Sequence, residues 1–146
     1  MGLFSKACEY GIKASIFIAI NSYEGRRVSP KEIAKEIDSP QAFTAKILQA
    51  LVKHDIVNSI KGAHGGFEIS RNKIARVKLN HIVNAIDGDS IYNGCGLGLH
   101  KCDEVHPCPV HDKFKSVREE LKFMLENTSL EELALNIKSG ASFLKI

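Results

Sequence analysis

Several things are missing from this 146-residue chain, and each absence narrows what it can be. No apolar run approaches the roughly 18–20 residues that a membrane-spanning helix needs, so no membrane partner is expected. The opening stretch, "MGLFSKACEY", lacks the basic, apolar and small-residue succession of a secretory signal. Gly2 stands where a myristoylation motif begins, but Lys6 occupies the position that motif gives to Ser or Thr. The expected location is therefore the cytoplasm. No internal repeat or low-complexity tract is present, which leaves one ordinary globular unit, at most extended by an appended element. Cysteine is scarce, at four residues, and no Cys-x2-Cys knuckle occurs among them. The usual grip of a structural zinc ribbon is thus absent.

Hydrophobic content of 44% and charged content of 25% are those of a soluble domain. The net charge of +3 conceals a polarity along the chain. Residues 1–80 carry 13 Lys and Arg against 7 Asp and Glu, whereas residues 81–146 carry 7 against 10. A basic front and an acidic rear are what a protein needs if one end faces a polyanion.

Residues 5–20 read as a strongly apolar helix with Ser5 available as its cap. A polar break containing Gly25 follows. The next helix starts at "SPKEIAKEI", with Ser29 at the N-cap, Pro30 in the first helical position and Glu32 completing a capping box. Ser39 and Pro40 repeat the cap-and-proline start for a third helix over 41–55, in which Phe43, Ile47, Ala50 and Leu51 share a side. Two short helices joined by a tight turn make a helix-turn-helix pattern. Directly after it, "IVNSI" and "FEIS" alternate apolar and polar residues around the glycine-rich turn "KGAHGG". A hairpin at this distance is the wing of a winged-helix DNA-binding domain.

A further helix is expected over 78–86. Pro109 then opens a long helix whose Val110, Phe114, Val117, Leu121 and Met124 recur at heptad spacing. That stripe either packs on its own domain or pairs with a second copy. Thr128 and Glu131 supply a capping box for a last short helix.

Between these helices lies "CGLGLHKCDEVHPCPVH", residues 95–111, which holds three of the four cysteines and three of the six histidines. In a reducing compartment such clustering points to metal or redox chemistry rather than disulfides. Thiolates spread along a glycine-bearing loop can wrap an object larger than one ion, and soft sulfur excludes magnesium and calcium. The spacing is compatible with an iron–sulfur cluster, with zinc, or with redox-active thiols. Three cysteines leave a four-ligand cluster one short, so His, Asp, Glu or Cys8 must complete it. Cys8 itself reads as a small residue on a buried helix face. His100 and His106 read as solvated or as supports for a ligand, and His54 as a helix-terminal surface residue.

The chain resembles the IscR/NsrR family of winged-helix transcription regulators over nearly its whole length. "SKACEYGIKA" is similar to that family's first-helix signature. "LVKHDIVNSIKGAHGGFEIS" is similar to the end of its recognition helix and its wing, and the three-cysteine loop before a long helix, then "NTSLEEL", completes the likeness. The resemblance implies a mostly α fold with a β wing, a winged helix-turn-helix domain followed by a long C-terminal dimerisation helix. It implies a homodimer on palindromic promoter DNA, with an iron–sulfur cluster setting the affinity. Cys95, Cys102 and Cys108 stand at the family's ligand cysteines. His111 stands where the IscR branch has its histidine ligand, and Glu9 where the NsrR branch has a carboxylate given by the partner subunit. With a histidine ligand a 2Fe–2S cluster is expected rather than 4Fe–4S. The first spacer of six residues is one longer than the IscR branch has.

On this reading residues 1–80 form the DNA-binding domain, 81–108 a linking helix and cluster loop, and 109–146 the dimerisation and C-terminal helices. The recognition helix would present Gln41, Thr44 and Lys46 to the major groove, while Lys61 and His64 on the wing would meet phosphate or the minor groove. Relatives carry Arg where Lys61 stands, so charge is kept but the planar fork is lost. A small electron carrier would explain the cysteines but not the wing. A zinc hydrolase would need a pocket around a base such as Glu104. A regulator that lacks a cluster and answers to a partner protein or metabolite, or one that binds zinc, is the remaining alternative.

Overall fold

The computed structural model describes residues 3–100 and 103–145. Its elements run α1 (Lys6–Tyr23), α2 (Pro30–Ile37), α3 (Gln41–Lys53), β1 (Asn58–Ile60), β2 (Gly66–Glu68), α4 (Arg71–Arg76), α5 (Leu79–Ile86), α6 (Ser90–Asn93), α7 (His111–Asn127) and α8 (Leu130–Lys138). It is a winged helix-turn-helix fold, mostly helical, with one two-stranded sheet. No helix of the described residues is long and apolar enough to cross a membrane.

α1 is the axis of the molecule. Ser5 accepts the Cys8 amide at 3.0 Å and starts it, a cap worth about 1 kcal/mol. The helix is apolar on nearly every side because α2, α3, α5 and α8 all pack on it. Ile18, Ile33, Leu48, Leu51, Ile74, Ile82 and Leu130 are wholly buried in this core. Burying each such side chain contributes about 1.5–3 kcal/mol. A second cluster gathers Cys8, Leu79, Val83 and Leu125, joining α1 and α5 to the lower half of α7. Packing therefore runs across the division expected between residues 1–80 and 109–146, since Leu130 and Ala134 of α8 lie in the same core as Ile18.

Ser29 and Glu32 form the expected capping box, with Pro30 opening α2. Other local expectations need correction. Ser39 does not cap α3; Pro40 holds the N-cap position and supplies no side-chain bond. The Ser39 hydroxyl is instead bonded to that of Thr44. α7 begins at His111 rather than Pro109. α8 is capped by Ser129, whose hydroxyl accepts the Glu132 amide at 3.1 Å, so the cap lies one residue beyond the expected Thr128 and stands as a single hydrogen bond rather than a box. Thr128 turns back and donates to the Met124 carbonyl at 2.7 Å.

The wing pairs Asn58 with Glu68, Ser59 with Phe67 and Ile60 with Gly66. Val28, from the supposed polar break, adds a third chain: its amide donates to the Phe67 carbonyl at 3.1 Å and its carbonyl accepts the Phe67 amide at 2.8 Å. Arg27 fastens the wing further, reaching the His64 carbonyl at 3.1 Å and the Glu68 carboxylate at 3.2 Å. The Gly-Gly turn is a steric requirement. A Cβ on Gly65 would stand 2.1 Å from the Ile60 carbonyl oxygen, which is backbone and cannot step aside. Gly65→Ala is accordingly expected to open the hairpin and destabilise the protein by about 1–3 kcal/mol, read as a lowered denaturation midpoint with the helical signal of the native state unchanged.

One more contact positions α7. Leu130 donates its amide to the Val77 carbonyl and Leu79 its amide to the Thr128 carbonyl, each at 2.9 Å. This short antiparallel bridge ties the α7–α8 corner to the α4–α5 corner.

Candidate nucleic-acid interface and cysteine loop

α3 has a buried side of Thr44, Ile47, Leu48 and Leu51 and an exposed side of Gln41, Ala42, Ala45, Lys46, Gln49, Val52 and Lys53. Gln41 and Lys46 are thus presented outward as expected. Thr44 is not; it is fully buried. Its hydroxyl donates to the Pro40 carbonyl at 3.0 Å and meets Ser39, so it secures the turn before α3 and has no face left for a base. Lys61 and His64 stand exposed on the wing. His54 ends α3, with Nδ1 bonded to the Ala50 carbonyl at 2.9 Å. Arg27 escaped the sequence reading because its work is done by one main-chain and one carboxylate contact that carry no motif.

The cysteine loop hangs between α6 and α7. Cys95 and Cys108, 13 positions apart in the chain, bring their thiols together. The Leu97 amide donates to Cys95 Sγ at 3.4 Å. Hydrogen bonds from Leu97 and then Leu99 hold the Cys95 thiol below its usual range, with lesser help from Cys108 and Gly98 against the opposing effect of desolvation. N–H groups aimed at sulfur favour the thiolate. Cys102 lies outside the described residues. Among those described, no three His, Cys, Asp or Glu side chains gather closely enough to hold a metal ion. Neither His111 nor Glu9 completes such a group with the two thiols.

His111 begins α7 with its amide bonded to the Cys108 carbonyl at 3.0 Å and only 7% of its surface exposed. It lines a cavity of about 400 Å³ together with Tyr92, Glu104, Lys115 and Arg118. Glu104 and Lys115 pair at 2.9 Å; each lowers or raises the other in the direction of its charged form. Arg118 donates to the Gly94 carbonyl at 2.6 Å, and Gly96 lies flat against the Phe114 ring, where a Cβ would come within 2.3 Å of a ring carbon. The loop is thus fitted to the upper half of α7. His100 and His106 are exposed, the latter 3.4 Å from Asp103.

Glu9 is partly exposed on α1 and pairs with Lys6 at 3.7 Å. Cys8 is buried beside Leu79, Val83 and Leu125. Burial first, then the nearby Asp87 carboxylate, pushes its thiol up to about 12. It is an inert small residue of the core.

The stripe on α7 is divided between the two fates open to it. Leu121 packs inward beside Leu125, whereas Val117 is 61% exposed and Met124 42%. Phe123, at 70%, adds to this outward apolar surface.

Residues 4–136 match the Rrf2 family, described as an iron-dependent transcriptional regulator. A protein of Aquifex aeolicus assigned as an HTH-type transcriptional regulator is 30% identical over 143 residues, 97% of this chain and 96% of that one. The HTH-type transcriptional regulator IscR of Xenorhabdus nematophila is 26% identical over 136 residues, covering 93% of this chain and 80% of its own. Among solved structures, CymR, the global cysteine regulator of B. subtilis, superposes with a TM-score of 0.73 at 21% identity, over 92% of this chain and 98% of that one.

Proposed function

This chain belongs to the Rrf2 family of transcriptional regulators, and on that premise we propose that it binds palindromic promoter DNA as a homodimer, with an iron–sulfur cluster on the 95–111 loop setting its affinity. It is a regulator rather than an enzyme. The observation that carries the cluster reading is the meeting of Cys95 and Cys108, with amide N–H groups directed at the Cys95 sulfur. Such a donor set suits a thiophilic group. Cys95, Cys102 and Cys108 would hold it, with His111 as fourth ligand and Glu9 of the partner subunit as the alternative. When bound, a 2Fe–2S cluster would supply reversible oxidation and sensitivity to oxygen, nitric oxide or cluster supply. Outward Val117, Phe123 and Met124 support pairing of α7 with its two-fold copy. That pairing would set two α3 helices at a fixed separation for successive major grooves.

The reading is tested by titrating duplex DNA with anaerobically purified protein, with and without its cluster. Affinity should fall steeply with salt as counterions are released. Lys61→Ala should weaken binding by a similar factor on every operator sequence. Gln41→Ala should instead relax base preference at one position, by about 1–3 kcal/mol. Duplex binding with normal specificity in protein that never holds iron would favour the regulator without a cluster. Wild-type behaviour of both variants would show that α3 and the wing are not the DNA-reading elements.

A further inference from the structure

Resting on that reading of α3, we infer that the half-site read by this helix is rich in A·T pairs and is recognised through the 5-methyl groups of thymine. With 3.6 residues per turn, the exposed residues Gln41, Val52, Ala45, Gln49, Ala42, Lys53 and Lys46 fall in that order within an arc of about 140°. Both lysines stand at one edge of the arc, one heptad apart, where they can follow a phosphate strand. The centre of the arc, which faces the floor of a groove, holds the methyls of Ala45 and Ala42 and the amide of Gln49, with Gln41 at the edge opposite the lysines. Beside this face lies a mainly apolar cleft of about 370 Å³ between α3 and the base of the wing, lined by Ala45, Leu48, Gln49, Val52, Lys53 and Phe67.

The chemistry of this face is selective. α3 carries no acidic residue and no arginine, so it lacks the carboxylate that accepts from cytosine N4 and the guanidinium fork for guanine O6 and N7, and its two lysines, which can also reach guanine, stand at the edge of the arc rather than at its centre. The two carboxamides, Gln41 and Gln49, suit adenine N6 and N7. Eight residues separate them, an axial rise of about 12 Å, which spans about three to four base-pair steps of roughly 3.4 Å. The apolar centre has one counterpart in the major groove, because the thymine methyl is the only apolar group that the four base pairs display there. Ala42 and Ala45 are short enough to let such a methyl approach the helix.

The test selects duplexes from a random-sequence library with the full-length protein, prepared anaerobically with and without its cluster. Enriched half-sites should be A·T-rich over about four pairs. Replacing thymidine by deoxyuridine in an enriched half-site removes only methyl groups, and each methyl that contacts α3 should cost about fourfold in affinity. Gln49→Ala should remove the preference for adenine at one position, while Lys46→Ala should weaken all sequences alike. A specific complex on G·C-rich half-sites, or one indifferent to deoxyuridine, would overturn the inference while leaving the regulator reading intact. Failure to enrich any duplex in either preparation would instead overturn the regulator reading, and this inference with it.

Discussion

Cys108→Ser protein, purified anaerobically, is expected to be colourless and to contain essentially no iron or acid-labile sulfide, while the wild-type protein is coloured. Serine keeps the size and hydrogen bonding of the side chain but offers a hard oxygen where a soft thiolate is required. Cys102→Ser should behave alike. Cys8→Ser should retain its cluster, because that thiol is enclosed by Leu79, Val83 and Leu125. Cys8 is also kept protonated by burial and by Asp87. The pair of variants separates ligand loss from a general effect of removing a thiol. His111→Ala and Glu9→Ala then address the fourth ligand by absorption and Mössbauer spectroscopy. An altered cluster in the first alone assigns His111; the reverse pattern assigns Glu9. Zinc in place of iron in the reconstituted wild type would refute the cluster.

Val117→Asp is expected to leave a folded monomer that no longer binds its operator. Val117 is 61% exposed in the single chain, so an aspartate there meets water and costs the monomer little. In a two-fold α7 pair it would be desolvated, facing either its own copy or the partner's apolar surface. An uncompensated charge in such a place costs roughly 3–5 kcal/mol, a hundredfold or more in the dimer constant. Sedimentation velocity reads the loss of the dimer, and circular dichroism checks that the helices persist. Val117→Asp protein that still sediments as a dimer would place the subunit interface elsewhere. Leu125→Asp supplies the contrast, since Leu125 is fully buried within its own chain and its replacement should unfold the protein.

Legibility in the sequence followed the length over which each signal is repeated. α1, the Ser29–Glu32 box and the wing could be read because period, cap and turn chemistry agree there. The Val28 bridge could not: one residue paired to Phe67 has no periodicity. α4, six residues long, was passed over for the same reason, although Ser70 caps it. The caps at Ser39 and Thr128 were misplaced because two hydroxyl or proline candidates stand side by side, and only tertiary packing chooses between them. Thr44 was misjudged in a more instructive way. Its polarity argued for the surface, yet a hydroxyl that bonds to its own Pro40 carbonyl and to Ser39 is satisfied without water. At the loop, residue types and spacing pointed to Cys95, Cys102 and Cys108, and the described residues show Cys95 and Cys108 within hydrogen-bonding reach of each other. The directed amides at Cys95 were invisible, since they arise from the main-chain path of Leu97 to Leu99.

The manner in which α7 is held has a consequence for engineering. Its lower half belongs to the body, through Leu125 and the bridge between Val77–Leu79 and Thr128–Leu130. Its upper half touches the loop, through Phe114 against Gly96, Lys115 with Glu104 and Arg118 on the Gly94 carbonyl. The described residues of 94–100 and 103–118 thus meet the body at two seams, one at the end of α6 and one in the middle of α7. On the proposed reading, a loop of different chemistry grafted between those seams should leave α3 and the wing undisturbed, provided the graft keeps the heptad phase in which His111, Arg118 and Leu125 follow one another along α7.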